Sequence, residues 1–285
     1  MSEVSIDKIK LLRVKTGIGL IGCKNALLEA DGNIEKAIVC LRKKGLAVAL
    51  NKMSRKALSG LIFLLIDDNR KNGVILEVNC ETDFVAKSSE FITYVRNLAE
   101  TFLYSDVFNK DFYMLHDDIC INKDIEKDRM ISISKFGENI IIRRVRRFGV
   151  IDGCLFGYVH GLSNFGKVGS ILLADNKAKS FDNMVVDIAM QVVAMNPLYL
   201  RKEDVPENVK SNERKIYLET AKNKYSDKSE VVIDKMINGQ MDKFYKNIVL
   251  YEQLFIKDAK YSVKNLICNK FSLLDFVRFE VGEDI

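Results

Sequence analysis

Thr82-Asp83-Phe84-Val85, inside Glu77–Phe91 (EVNCETDFVAKSSEF), puts a carboxylate beside a large aromatic where a strand pattern changes into a helical one. Side chains at such a corner project outward, so an acid and a ring there could engage a partner's polar shell and apolar groove together. The same residues also read as architecture. Thr82 or Asp83 would cap a turn and Phe84 would pack inward, because caps are common and hydrophobic corners usually pack. Residue types leave both readings open.

Other constellations carry less chemistry. Gly17-Ile18-Gly19-Leu20-Ile21-Gly22 fits the G-x-G-x-x-G spacing. A dinucleotide site needs a strand before that motif and a βαβ unit around it, whereas here a helical pattern precedes it and no strand pattern follows closely. Gly161–Val168 (GLSNFGKV) nearly spells a phosphate loop, but Val168 stands where the Mg²⁺-binding hydroxyl belongs. A strand pattern follows instead of a helix, so the run reads as a hairpin turn. The chain is expected to bind no nucleotide and no cofactor itself. Ile140 to Arg147 (IIIRRVRR) carries four arginines and reads as a strand with some solvated guanidinium groups, an RNA-binding patch being the alternative. His160 has no evident Asp, Ser or Cys partner, so a structural histidine is the default. Paired carboxylates, a nucleophile with its base, and a metal cluster cannot be assembled from these residues, which argues against an enzyme.

Composition narrows the setting. The 285 residues suggest about two domains. Hydrophobic residues at 48% and charged residues at 29% fit a globular chain with a sizeable core. The net charge of +5 arises from 44 basic against 39 acidic residues, far from a nucleic-acid tail. Six cysteines without a C-x-x-C pair, beside two histidines, predict free thiols in a reducing compartment and no bound metal. MSEVSIDKIK lacks the apolar stretch of a signal peptide, and no apolar run approaches membrane-spanning length, so a cytoplasmic protein is expected.

Stepping along the chain, Gly60–Ile66 and Val74–Asn79 read as antiparallel strands around a turn-rich Asp67–Gly73. Val74, Leu76 and Val78 alternate with Ile75, Glu77 and Asn79, and the corner then leads to a helix over Ser89–Tyr104. The order recurs: strand Cys154–His160, loop Gly161–Lys167, strand Val168–Ala174, helix Asp182–Met195. Before the first copy lie three short helical patterns, the first with Ile6, Ile9 and Leu12 on one face and broken at Thr16-Gly17. The second starts near Leu20 and the third spans Ile34 to Lys43 with Gly45 as its cap. Lys43 to Lys56 reads as a basic surface linker. After the second copy come two charged helices, Asn208–Lys224 with stripe Val209, Ile216 and Ala221, and Ser229–Ile248 with Val232, Met236 and Phe244 on one face. A short helix Ser262–Asn269 and a strand Leu273–Val281 close the chain, with Phe276 and Phe279 expected in the core. The class is α+β: a head and connector over 1–55, a first core unit over 56–147, and a second over 148–285 with an inserted helical pair over about 198–248.

The corner resembles the TDFV signature of the elongation factor Ts family, nucleotide exchange factors of the GTPase elongation factor Tu. LRVKTGIGLIGCKNALLEADGNIEKAIVCLRKKG resembles that family's ubiquitin-associated-type (UBA-like) head through Leu12, Arg13, Thr16, Gly17, Gly19, Cys23, Lys24, Ala26, Leu27, Gly32 and Ala37. FGENIIIRRV resembles the segment joining the two core halves, Lys202–Pro206 the start of a protruding helical hairpin, and Arg278 to Glu283 the family's R-F-E-V-G-E.

The resemblance implies that Thr82, Asp83, Phe84 and Val85 dislocate the GTPase's Mg²⁺ site. It implies that Leu12, Arg13, Leu20 and Ile21 dock the head on a GTPase helix, and that His160 and Gly161 join the facing surface. Leu20 and Ile21, followed by Gly22, stand where many members have a Met pair and an acid, and core packing is their alternative. The helical pair would serve self-association or contact with the GTPase's distal domains. Many relatives continue into a further C-terminal helix beyond the position of Ile285, so its contact would be absent or supplied elsewhere. A ribosome- or RNA-associated protein without exchange activity is the rival reading.

Overall fold

The computed structural model describes residues 5–16, 20–104, 111–120, 122–224 and 229–284. Gly17 and Gly19, with their motif spacing, lie outside the described residues. The architecture is mixed helix and sheet. Three helices, α1 (Ile6–Thr16), α2 (Leu20–Glu29) and α3 (Ile34–Lys52), close on Leu12, Cys23, Ala26, Leu27, Ala37 and Leu41. Asn33 caps α3, its side-chain oxygen accepting from the Lys36 N–H at 3.0 Å.

The helix α3 does not stop at Gly45, and Lys43 to Lys56, though mostly exposed, is not a separate linker. It runs through to Lys52, with Ala37 and Leu41 in the head core and Ala49 buried in the core of the first half. A Cβ at Gly45 would sit 2.7 Å from Ser134 Oγ, so the glycine lets α3 cross close over a later helix rather than ending it.

Next come β1 (Ser59–Ile66), β2 (Asn72–Cys80), α4 (Asp83–Ala86), α5 (Ser89–Tyr104), β3 (Phe112–Leu115), α6 (His116–Cys120), α7 (Lys123–Phe136) and β4 (Ile141–Gly149). The second half holds β5 (Cys154–Leu162), β6 (Phe165–Ala174) and α8 (Asp182–Met195). The chain continues through α9 (Glu207–Lys224), α10 (Glu230–Ile248), β7 (Leu254–Phe255), β8 (Asp258–Ser262), α11 (Val263–Ile267) and β9 (Leu273–Glu280). Among the described residues, β3-β4-β2-β1-β6-β5 form one sheet, with β9 also on β6.

The two hairpins meet where β1 pairs with the start of β6, Ile62 opposite Gly166 and Phe63 opposite Phe165. About that junction the sheet folds onto itself. The face of β1 and β2 bearing Leu61, Phe63, Leu76 and Val78 packs on Phe91, Val95 and Phe102 of α5. The opposite face, with Ile62, Leu64 and Ile75, packs on Leu155, Val159, Ile171 and Phe279 of the second half. Beyond those, Phe156 and Leu172 meet Val185, Ile188 and Val192 of α8. The result is helix, strand, strand, helix, each layer burying the faces of its neighbours. The loop Gly161–Lys167 is tighter than its sequence suggests: β5 and β6 extend to Leu162 and from Phe165, and Ser163 turns the chain at φ +61°. Phe279 is in the core and Phe276 packs against its edge.

Burial on both sides of β2 explains why its alternation misleads. Glu77 falls on the polar side of the pattern yet is fully buried. It accepts from Arg143 at 3.1 Å and Arg144 at 2.7 Å, and from the Gly282 N–H at 2.8 Å. Arg144 also pairs with Glu283 at 2.6 Å, and Arg146 with Asp111 and, at 3.8 Å, with Asp275. Arg144 and Arg147 are buried. The arginine strand, enclosed between β2 and β3, is an internal ion-pair element and not an RNA patch.

The helices α9 and α10 run antiparallel, Arg214 lying 3.7 Å from Asp234 and 3.4 Å from the Asn238 side chain. Their shared face is Tyr217, Leu218 and Ala221 against Ile233, Ile237 and Met241. Ala221 and Phe244 of the expected stripes pack here, but Ile216 and Val232 are exposed and Met236 is half-buried, their places taken by Tyr217, Ile233 and Ile237. No helix among the described residues is long and apolar enough to cross a membrane.

Candidate exchange surface

The corner begins on a buried strand and ends in solvent. Thr82, extended at φ −123°, caps α4 with its hydroxyl oxygen 3.4 Å from the Val85 N–H. Its own N–H and hydroxyl donate to the two oxygens of Glu138, at 2.9 and 2.5 Å. Glu81 next to it accepts from the Asn139 N–H at 2.7 Å, and the Asn139 amide donates to the carbonyls of Met53 and Arg55. The corner is thereby tied to the α7–β4 turn and to the chain leaving α3. Ala86 is buried and Val85 packs against the first core. Cys80 lies beneath, its thiol pushed up to about 12 by burial and by the Glu138 carboxylate.

Asp83 faces the second half of the molecule. Its Oδ1 accepts from Lys167 Nζ at 2.8 Å and from the Ser59 hydroxyl at 2.5 Å, and its Oδ2 lies 3.4 Å from Lys87 Nζ. The Lys167 ammonium, followed by the Ser59 hydroxyl, holds the carboxyl well below the usual carboxylate range. Phe84 touches none of this. Its ring is 90% exposed, so the inward-packing reading of the corner is overturned while the capping role of Thr82 stands. A rigid seat thus presents one bare aromatic ring.

The head residues divide. Leu12 is fully buried and holds α1 to α2 and α3 rather than offering a surface. Arg13 is exposed, as are Leu20 and Ile21, the latter at 79%, so the core alternative for that pair is excluded. His160 is exposed near the end of β5, its Nδ1 3.2 Å from the Tyr158 hydroxyl. Gly161 lies opposite Gly166, and a Cβ there would come within 2.4 Å of the Phe165 carbonyl oxygen. The backbone approach that closes the hairpin therefore requires glycine. His160 pairs with Val168, the neighbour of the lysine that holds Asp83, so β6 adjoins both expected contact regions.

Ser59 and Glu138 carry no sequence signal, and Lys167 stands out only as part of the near-phosphate-loop run. They lie 24, 56 and 84 residues from their corner partners, and no local spacing links them to the corner.

The site is thus an exposed aromatic on an anchored corner of a mixed α/β frame. A family profile described as Elongation factor TS matches residues 81–283. Relatives named Elongation factor Ts include one from Nautilia profundicola, 37% identical over all of this chain and 95% of its own length. One from Clostridium novyi is 37% identical over 99% of this chain and 94% of its own, and one from Clostridium botulinum 35% over the same shares. The protein is a translation elongation factor. It belongs to the elongation factor Ts family.

Proposed function

We propose that this chain is a guanine nucleotide exchange factor, acting in the cytoplasm, that binds elongation factor Tu and releases its GDP without being an enzyme itself. The observation carrying this reading is Phe84, bare to solvent on a corner whose neighbouring polar groups are tied down. By linkage, a protein that binds the nucleotide-free GTPase better than the GDP form weakens GDP by the same factor. GTPases hold the β-phosphate through a backbone cradle and a Mg²⁺ that demands near-ideal octahedral coordination. Phe84 wedges between GTPase helices, while Asp83 and the Thr82 turn disturb the shell that supports the metal and Val85 anchors the wedge to the core.

Burying one Phe is worth roughly 1.5–3 kcal/mol, or about 10- to 150-fold in an equilibrium. A tightly held nucleotide requires more, and two further contacts supply it. The head, of the UBA-like kind, docks through Arg13, Leu20 and Ile21, with Leu12 shaping it from within. The His160–Gly161 end of β5 provides the other. In this reading the chain divides into a head over 1–55 and two core units over 56–147 and 148–285. The antiparallel pair inserted at about 198–248 serves self-association or the GTPase's distal domains.

Stopped-flow release of fluorescent GDP from the cognate elongation factor Tu tests the reading. Acceleration that saturates with concentration is expected, with Phe84→Ala slowing it about tenfold or more while complex formation stays detectable. An unchanged rate for that variant would remove the wedge. No acceleration by the unmodified protein would remove the exchange function.

A further inference from the structure

Lys167 belongs to the second repeat, yet its ammonium sits on the first repeat's corner. It lies 2.8 Å from Asp83 Oδ1 and 3.2 Å from the Ser59 hydroxyl, which itself donates to the same carboxylate oxygen. Leu58, Ser59, Glu81, Asp83, Lys167, Glu280 and Val281 line one shallow open cavity, with Lys167 its cation and three acids around it. The helix that carries Phe84, α4, has four residues, too few to hold a direction by its own hydrogen bonds. Where the ring points is therefore set by what grips residues 82 to 86. Glu138 grips Thr82 and the first core grips Val85 and Ala86. Asp83 is gripped from across the junction, by Lys167 on β6.

We infer that Lys167 is a positioning residue for exchange. Resting on the exchange reading above, this means that its ion pair with Asp83 fixes the Phe84 corner relative to the β5–β6 hairpin. Phe84 and His160 then meet the GTPase as one preset surface. Lys167 and Val168 are adjacent on β6, and Val168 pairs with His160 on β5, so the lysine ties the corner to the strand that pairs with His160. Preorganisation of this kind lowers the barrier of the step that needs both contacts at once, while leaving the first encounter through the head unaffected.

The test is a concentration series of GDP release with Lys167→Met, Lys167→Arg, Asp83→Asn and the Lys167→Met/Asp83→Asn pair, beside the unmodified protein and Phe84→Ala. Lys167 is half-exposed, so loss of its ion pair should leave the fold intact, and a thermal melt of each variant checks this. The expected result for Lys167→Met is a plateau rate down about fivefold with the half-saturating concentration nearly unchanged. Lys167→Arg should restore most of it, and the double variant should be no slower than the worse single one. Effects of the two single variants that multiply would overturn the inference, since Lys167 would then act independently of Asp83. So would a normal plateau in Lys167→Met. If Phe84→Ala is slow while Lys167→Met is normal, the positioning role fails and the wedge stands. If the unmodified protein gives no acceleration, it is the exchange reading that fails.

Discussion

The molecule contains the same strand-to-helix passage twice and finishes it in opposite ways. In the first half β2 enters α4 and α5 through Thr82, and Phe84 stands in solvent. In the second, β6 enters α8 through Asp175, which caps a 3₁₀ turn over Asn176–Phe181 by accepting from the Lys177 N–H at 3.0 Å. There the aromatic, Phe181, is half-buried and packed, its ring centroid 5.7 Å from that of Phe271. The chain entering β9 closes over that corner, with the Asp175 N–H donating to the Ser272 carbonyl and the Ser272 N–H to the Asp175 carboxylate, both at 3.0 Å. At the first corner Glu138 and Lys167 hold from beneath and nothing described covers Phe84. An exposed ring is therefore not imposed by the topology. Burying it would stabilise the fold by roughly 1.5–3 kcal/mol, and the protein forgoes that gain at the corner that resembles a partner-binding motif.

The contrast can be broken most severely from below. Glu77 neutralises the buried Arg144 on the strand leading to the exposed corner. Glu77→Ala should cost about 3–5 kcal/mol in urea unfolding, because a buried guanidinium loses its partner. A loss under 1 kcal/mol would show that Glu283 alone satisfies the arginine. The next largest effect compares the two aromatics directly. Phe181→Ala should cost about 2 kcal/mol, while Phe84→Ala should change stability by no more than about 0.5 kcal/mol. Equal losses would mean that Phe84 is packed in solution and the corners are alike.

The smallest effect concerns how the covered corner is anchored at the start of α8. Asp182 pairs with Arg70 at 2.6 Å, and that guanidinium holds its carboxyl below the usual range. A carboxyl lowered in the folded state stabilises above the unfolded value, near 3.9, and the contribution disappears as pH falls through the folded value. The pair is over a third exposed, so Asp182→Asn should cost only about 0.5 kcal/mol at pH 7. The difference from the unmodified protein should shrink as the pH falls below the unfolded value and disappear once it passes the lowered folded one. A gap that widens in acid would contradict this linkage.

Much of the frame is legible in local pattern. The helix Ser89–Tyr104 keeps its apolar stripe of Phe91, Val95, Leu98 and Phe102, and its bounds are those of the pattern. The repeated hairpins are likewise marked by alternation and by turn residues, Asp67 accepting from the Lys71 and Asn72 N–H groups at 2.8 and 3.0 Å. Gly45 misled because a glycine that ends a helix and one that admits a crossing helix look identical in a string. The arginines of β4 lie on the strand the pattern predicts, but the burial of Arg144 and Arg147 was not legible, because the strand's ion-pair partners, Glu77, Asp111, Asp275 and Glu283, are scattered along the chain.

The sequence by itself determined the classes of element, their order, the family, and the chemistry available at Thr82-Asp83-Phe84-Val85, since these rest on residue type and short-range period. Whether Phe84 faces in or out, which arginines are buried, and that Asp83 is held by a lysine of the other repeat were decided by tertiary structure. Burial and ion pairing depend on which distant segments the fold brings within a few ångströms, and no local spacing encodes that.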